Sequence, residues 1–229
     1  MNNIIQISMS KESVTLTDYL KGHIIEKGDE YTHTRIGDKN SKISGGSYNI
    51  RNEKEFLDNY YRAVFEEGKN EYLTERQYIE KAPVAIDIDM RYNNTVTKKQ
   101  HTEDHIKDLI YLYAREIQKI CNINNIKFDV FVMEKPNVNV LEDKTKDGIH
   151  IIFGVSMHRA GHVLIRENVI PELEKFWQDL PLTNSSDDLI DEAVTRGIAN
   201  WQLYGSKKPN HQSYLIKYHY TLEWKENEK

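Results

Sequence analysis

Residues 84–92 read VAIDIDMRY, and the alternation in this run decides how the rest of the chain is read. In an extended strand, residues two apart share a face, so Asp87 and Asp89 project together from one side while Ile86 and Ile88 pack on the other. An ionised carboxylate taken out of water costs several kcal/mol unless something compensates, and two like charges side by side call for a cation. Mg²⁺ and Mn²⁺ prefer carboxylate oxygens and accept few protein ligands, which leaves room for substrate phosphates. The pair is thus a candidate divalent-metal site on an otherwise apolar strand. The competing use of the same pattern is an edge strand whose aspartates face water or pair with Arg91.

The surrounding composition bounds what such a strand can belong to. With 229 residues and 38% hydrophobic content, the chain can bury one sizeable core or two small ones. No apolar run reaches the ~18 to 20 residues that would span a bilayer, and the opening MNNIIQISMSKESVTL lacks a basic region followed by an apolar one, so an unexported, intracellular protein without a membrane partner is expected. The single cysteine, Cys121, cannot form an internal disulfide or a cysteine-rich zinc site. The net charge of −5 argues against wholesale coating of nucleic acid. The charge is unevenly placed, however. From Ala193 to Leu222 the chain carries Arg196, Lys207, Lys208 and Lys217 and no acid, interleaved with Trp201, Tyr204, Tyr214, Tyr218 and Tyr220. That mixture suits phosphates and bases, although a tyrosine-rich strand with solvated lysines would look the same, and Trp201 reads as core.

Working outward from the strand, the pattern predicts an α+β order. Residues Glu53 to Glu67 place Phe56, Leu57, Tyr60, Tyr61, Val64 and Phe65 at helical spacing, with Gly68 as a stop. A second helix is expected from Thr102 to Cys121 with Ile106, Ile110, Tyr113, Ile117 and Ile120 inward. The strands KFDVFVME and GIHIIFG flank the polar loop KPNVNVLEDKTKD as a hairpin with a long tip, a loop that either contacts template or is simply flexible. A helical stretch from His158 to Trp177 is expected to break or restart at Pro171. SSDDLIDEAV reads as a short helix capped by Ser186, and SYLIKYHYTLEW as an alternating strand. No repeat or Gly/Ser linker divides the chain, which is expected to form a single domain, with an N-terminal αβ unit over about residues 1–80 and a metal-binding core over about 81–229.

Three enzyme classes use an Asp-x-Asp strand. Phosphatases of the haloacid dehalogenase type continue with Thr or Val where Arg91 stands, and glycosyltransferases set the motif beside a nucleotide-binding α/β domain that is not evident here. The third class is nucleotidyl transfer. It is favoured by KDGIHIIFG at residues 146–154 and IDEAVTRGIANWQLYGSKKP at residues 190–209, which follow the strand in that order. With these segments the chain resembles the archaeo-eukaryotic primase superfamily, in particular the N-terminal primase domain of the primase-helicases of large DNA viruses. The resemblance runs from about Tyr31 to Pro209 and includes THTRIG, GGSYNI and YLTERQ.

The resemblance implies a primase catalytic core in which a mixed β-sheet carries the aspartates, an RRM-like core with flanking helices joined to the N-terminal αβ unit. It implies Asp87, Asp89 and Asp191 as ligands of two Mg²⁺ or Mn²⁺ ions, with His150 at the incoming nucleotide. Lys208, Lys207, Arg196 and Arg91 would be phosphate contacts or partners of the aspartates. Asp187, Asp188 and Glu192 compete with Asp191, which is chosen because Ile190 and Val194 flank it as the family pattern asks. Gly148 stands where cellular members more often have serine. The implied activity is template-directed transfer of nucleotides from NTP or dNTP onto a primer on single-stranded DNA, inside an infected host cell if the source is viral. The partner would be a helicase domain in cis or other replication proteins. The alternatives are a non-catalytic nucleic-acid-binding or assembly module and an Asp-x-Asp phosphatase. No G-x-x-x-x-G-K-[ST] phosphate loop is present, so this stretch by itself is not expected to be a helicase. No zinc is expected, because His101 and His105 in HTEDH lack the glutamate that zinc-protease patterns place beside them.

Overall fold

The computed structural model describes residues 14–121, 123 and 125–225. The N-terminal segment judged above to lack a leader, and the last residues of EWKENEK, lie outside them. The chain forms two compact units divided between Glu71 and Tyr72, where the sequence suggested a boundary near residue 80. The difference arises at the short strand β3, which pairs with a strand of the second unit.

In the first unit, helix α1 (Leu16–Lys21) starts at Thr15, whose side chain accepts from the Asp18 N–H. Strands β1 (His33–Arg35) and β2 (Gly46–Tyr48) pair antiparallel, and helix α2 (Glu53–Tyr61) follows. Arg35 and Glu71 form a buried, two-pronged ion pair, with Arg35 Nε donating to Glu71 Oε2 at 2.8 Å. The helix expected to run to Glu67 changes at Arg62 into a π-helical turn (Arg62–Glu66). Phe56, Tyr60 and Ala63, at i, i+4 and i+7, form the buried stripe, while Leu57 and Tyr61, one position round on α2, and Phe65 in the wider turn face outward.

The second unit holds the main core. Strand β3 (Leu73–Glu75) is followed by β4 (Ala82–Tyr92), α3 (Glu103–Ile120), β5 (Lys127–Glu134), β6 (Asn139–Val140), β7 (Thr145–Met157), α4 (Arg159–Phe176), α5 (Glu192–Thr195), β8 (Trp201–Gln202) and β9 (Leu215–Glu223). The main sheet has the order β4-β7-β5-β9, with β6 pairing the start of β7 inside the long hairpin tip. β4 and β5 each pair antiparallel with β7, which lies between them, so β4-α3-β5 is a split β-α-β unit. The α+β class is as read from the sequence. The sheet is antiparallel throughout rather than mixed, because each new strand enters beside an antiparallel neighbour.

One face of this sheet, carrying Ile86, Ile88, Met90, Ile149, Ile151, Val130 and Val132, packs against α3 and α4 through Ile106, Leu109, Tyr113, Ile165 and Val169. Burying each such side chain contributes roughly 1.5–3 kcal/mol. Ile120, expected inward, is exposed at the last turn of α3. Pro171 does not interrupt α4, which is continuous through it from the cap at His158. The opposite face of β4 is left for Asp87 and Asp89.

Candidate active site

After α4 the chain returns along the free edge of β4, and its backbone completes that edge residue by residue. The Thr183 N–H donates to the Arg91 carbonyl at 2.8 Å, the Asp89 N–H to the Leu189 carbonyl at 2.8 Å and the Asp191 N–H to the Asp87 carbonyl at 2.9 Å. Between them the Asn184 side chain stands in for a strand, accepting from the Arg91 N–H and donating to the Asp89 carbonyl, each at 2.9 Å. An antiparallel bridge joins Ile88 to Ile190. From α4, Arg166 holds the segment by donating to the carbonyls of Ile190 at 3.0 Å and Asp187 at 2.6 Å. The β4 edge is thus satisfied without a further regular strand.

This docking carries Asp191 to the aspartate pair. Asp191 is the N-cap of α5, its Oδ1 accepting the Val194 N–H at 2.8 Å, so the cap expected at Ser186 lies five residues further on, and residues 187–189 form a turn instead of a helix. Of its competitors, Asp188 stands 3.8 Å from Arg91 and Glu192 is taken by Arg196 at 2.6 Å. Although Asp89 keeps solvent access, its carboxyl is pushed above the ordinary aspartate range. Crowding by the surrounding protein is the main cause, followed by the charges of Asp87 and Asp191, with Lys146 and Lys208 pulling the other way.

Across the ladder, Asp87 faces His150 and Asp89 faces Gly148. His150 Nε2 lies 3.4 Å from Asp87 Oδ1, yet that oxygen is buried with no hydrogen-bond partner among the described residues. The distance permits an ion pair, but the angle does not make a hydrogen bond. The imidazole is held by Tyr214, stacked at 3.5 Å between ring centroids, and by Trp201 at 4.5 Å. Trp201 is buried in a small cluster with Ala85, Met133, Val194 and Tyr214, as its core reading required. Lys135 lies over the Tyr214 ring, 4.6 Å from its centroid. Burial, then Lys208, holds the Lys135 ammonium below the usual lysine range, with Asp87, Asp89 and Asp147 acting against that.

Of the cations named from the sequence, Lys208 and Arg91 come to this place. Lys208 acts on both Asp89 and Lys135, and Arg91 lines, with Asp89, Arg166 and residues 187–192, a polar cleft of about 490 Å³. The YGSKKP turn presents Lys208 because Gly205 adopts φ +86° and Ser206 is buried, its Oγ accepting the Leu73 N–H of β3 at 3.1 Å. Lys207 is half-buried in the same turn. Arg196 is not brought in, being engaged one turn back by Glu192.

Sequence reasoning missed Lys135, Lys146, Asn184 and Arg166, and singled out Tyr214 only as one of the aromatics interleaved with the C-terminal cations. Lys146 was within reach, since it alternates with Gly148 and His150 on one strand. His101 and His105 do not share a metal. His101 is buried between Glu134 at 3.1 Å and Asp147 at 3.3 Å beside Lys99, while His105 completes the capping box at Thr102 and meets Asp179.

Among the described residues no group of three or more acidic or histidine side chains closes into a ready-made cation cage. The aspartates form an open row. Their donor set nevertheless suits a hard divalent ion: carboxylate oxygens, one of them buried and unpartnered, with the remaining positions open to water or phosphate.

The family model of the C962R protein N-terminal AEP domain matches residues 37–220. The chain belongs to this family of archaeo-eukaryotic primase (AEP) domains. It is also 31% identical over 174 residues to the Acanthamoeba polyphaga mimivirus protein named "Putative helicase L207/L206". That match takes in 74% of this chain and 18% of the mimivirus protein, so the AEP domain corresponds to a small part of that relative. Among the described residues no helix of the AEP domain is long and apolar enough to cross a membrane.

Proposed function

We propose that this AEP domain is the catalytic part of a primase or primase-polymerase, transferring nucleotides from NTP or dNTP to a growing primer on single-stranded DNA. The observation that carries the reading is the docking of residues 189–191 on β4, which sets a third carboxylate beside Asp87 and Asp89 and opposite His150. Asp87, Asp89 and Asp191 would hold two Mg²⁺ or Mn²⁺ ions. Bound there, such ions supply charge stabilisation to the attacking and leaving oxygens of a phosphoryl displacement. The open row fits ions whose coordination is completed by the triphosphate itself.

The protein's own groups supply the rest. His150, fixed by Tyr214 and Trp201, would donate to a phosphate oxygen beside Asp87. Lys208 and Lys146, the cations that act on Asp89, would neutralise the triphosphate, and Lys135 stands close enough to Asp87 and Asp89 to join them. Arg91 and Arg166 at the cleft would meet phosphates of the same substrate or of the template. A helicase domain in cis is the partner that the mimivirus relative suggests.

The test is product length on unprimed and primed single-stranded DNA with labelled NTP or dNTP and either metal, comparing the parent with Asp87→Ala and Asp191→Ala. Short products from the parent that disappear in both folded variants are expected. A parent that binds template but makes no product on either substrate sinks the catalytic reading.

A further inference from the structure

The row of residues that faces the aspartates contains a gap and a group that fills it. At Gly148, directly across the ladder from Asp89, an added Cβ would stand 2.5 Å from Tyr214 Oη and 3.2 Å from the Ile88 carbonyl oxygen. The Tyr214 hydroxyl therefore occupies the space over residue 148 that a side chain there would otherwise take. It is two residue pairs along the ladder from Asp87 and His150, and therefore on the same face of the sheet.

The ring of Tyr214 is fixed on two sides, by the His150 imidazole at 3.5 Å and by the Lys135 ammonium at 4.6 Å, and it is buried to 8% exposure. A ring so held keeps its hydroxyl in place with little rotational freedom left to lose on binding. Burial, followed by the charges of Asp87, Asp89 and Asp147, pushes the phenol well above the ordinary tyrosine range, so the group is a neutral O–H at any working pH. A neutral donor beside carboxylates adds no repulsion of its own and complements an anion brought in with cations.

We propose that Tyr214 contacts the substrate, its hydroxyl donating to a phosphate oxygen of the incoming nucleoside triphosphate from the position that Gly148 leaves open. This rests on the nucleotidyl-transfer reading and adds to it a recognition residue. Gly148 and Tyr214 then act as a matched pair in which the glycine exists to admit the tyrosine's hydroxyl.

The pairing dictates the experiment, which uses Tyr214→Phe, Gly148→Ser and the double variant. Phenylalanine keeps the stacking on His150 and the Lys135 contact and deletes the oxygen alone. Serine at 148 meets Tyr214 Oη in the parent background, but with the phenol oxygen gone its Cβ faces only the 3.5 Å contact to Tyr214 Cζ and the Ile88 carbonyl. A hydrogen bond to a charged group contributes ~1.5–3 kcal/mol, so Tyr214→Phe is expected to lower kcat/KM for the nucleotide roughly 10- to 100-fold. Nucleoside triphosphate affinity, read by calorimetry, should fall in step while affinity for single-stranded DNA and the melting temperature stay near parent values. Gly148→Ser alone should impair nucleotide binding by displacing the tyrosine, and the double variant should recover part of both losses because a hydroxyl is again present.

Nucleotide affinity and kcat/KM of Tyr214→Phe within twofold of parent overturn the proposal, as does a double variant worse than either single one. The binding arm separates this idea from the catalytic reading. A parent that binds triphosphate but makes no product sinks the primase assignment while the Tyr214 contact is still measured, and a parent that binds no triphosphate sinks both.

Discussion

Asp191 has two roles that substitution can separate. Its carboxylate lies with Asp87 and Asp89, and its Oδ1 also caps α5 by accepting the Val194 N–H at 2.8 Å. Asp191→Ala removes both functions. Losing an N-cap costs about 0.5–2 kcal/mol, and for a unit of this size each kcal/mol lowers the melting temperature by about 2–4 °C. Relief of repulsion on Asp89 offsets part of that loss. Asp191→Asn keeps an acceptor oxygen of equal capping quality and removes only the charge, so it should melt at or slightly above the parent. Both variants lose a proposed metal ligand, and both should lose nucleotide incorporation by more than the ~10- to 100-fold typical of residues that merely support a ligand. The assays are thermal melting with and without Mn²⁺ and primer extension at saturating nucleotide. The order of melting temperatures, Asn at or above parent and parent above Ala, combined with equal loss of activity, is the signature. An Asn variant that is as unstable as Ala, or that keeps activity within tenfold, refutes the separation.

Three further outcomes are expected. Because the Asp89 carboxyl is raised in the fold, the folded state holds its proton more tightly than the unfolded chain does. Its contribution is therefore most favourable at low pH and is lost as pH rises through the folded value, and Asp89→Asn should raise the denaturation midpoint at pH 7 while abolishing activity; a lowered midpoint contradicts the electrostatic account. His101 is also raised, but for the other reason: burial lowers its pKa, while its closeness to Asp147, its hydrogen bond to Glu134 and the charges of both outweigh this and raise it overall. Its stabilisation is present below about pH 6.5 and lost as pH rises through the folded value, so the deficit of His101→Gln, measured by urea unfolding, should be larger at pH 5.5 than at pH 9. Gly205→Ala places a Cβ at φ +86°, which should cost about 1 kcal/mol or more and weaken nucleotide binding through the displaced Lys208; unchanged affinity would show that the turn does not position that lysine.

How far the sequence could be read depended on how local the determining physics was. The strand bearing Asp87 and Asp89, the helix inside Thr102 to Cys121 and the strand KFDVFVME are fixed by alternation or helical spacing within a dozen residues, and the structure places them where the pattern did. The misjudged features were set by neighbours. Pro171 sits in a continuous helix, the buried stripe of α2 is narrower than its spacing suggested and leaves Leu57 and Tyr61 outward, and Phe65 faces out from the π-turn that follows. Ser186 had the right chemistry for a cap, but the chain there is occupied in completing the edge of β4, so the helix waits until Asp191.

The same distinction applies to the candidate site. Asp87, Asp89, Asp191 and His150 could be named as candidates because each sits in a short motif of definite type, whereas Lys135 and Tyr214 meet only when β5 and the segment before β9 are folded against β7. Lys135 answers one consequence of gathering negative charge on one row. Burial first, and then the charges of Asp87 and Asp191, raise Asp89, and cations drawn from separate places act against the crowding of charge: Lys135 after β5, Lys146 on β7 and Lys208 in the turn before β9. A cation from each of three separated segments can act on the row while leaving its solvent side open. One local salt bridge to each aspartate would have stabilised the fold more and left no site for an ion.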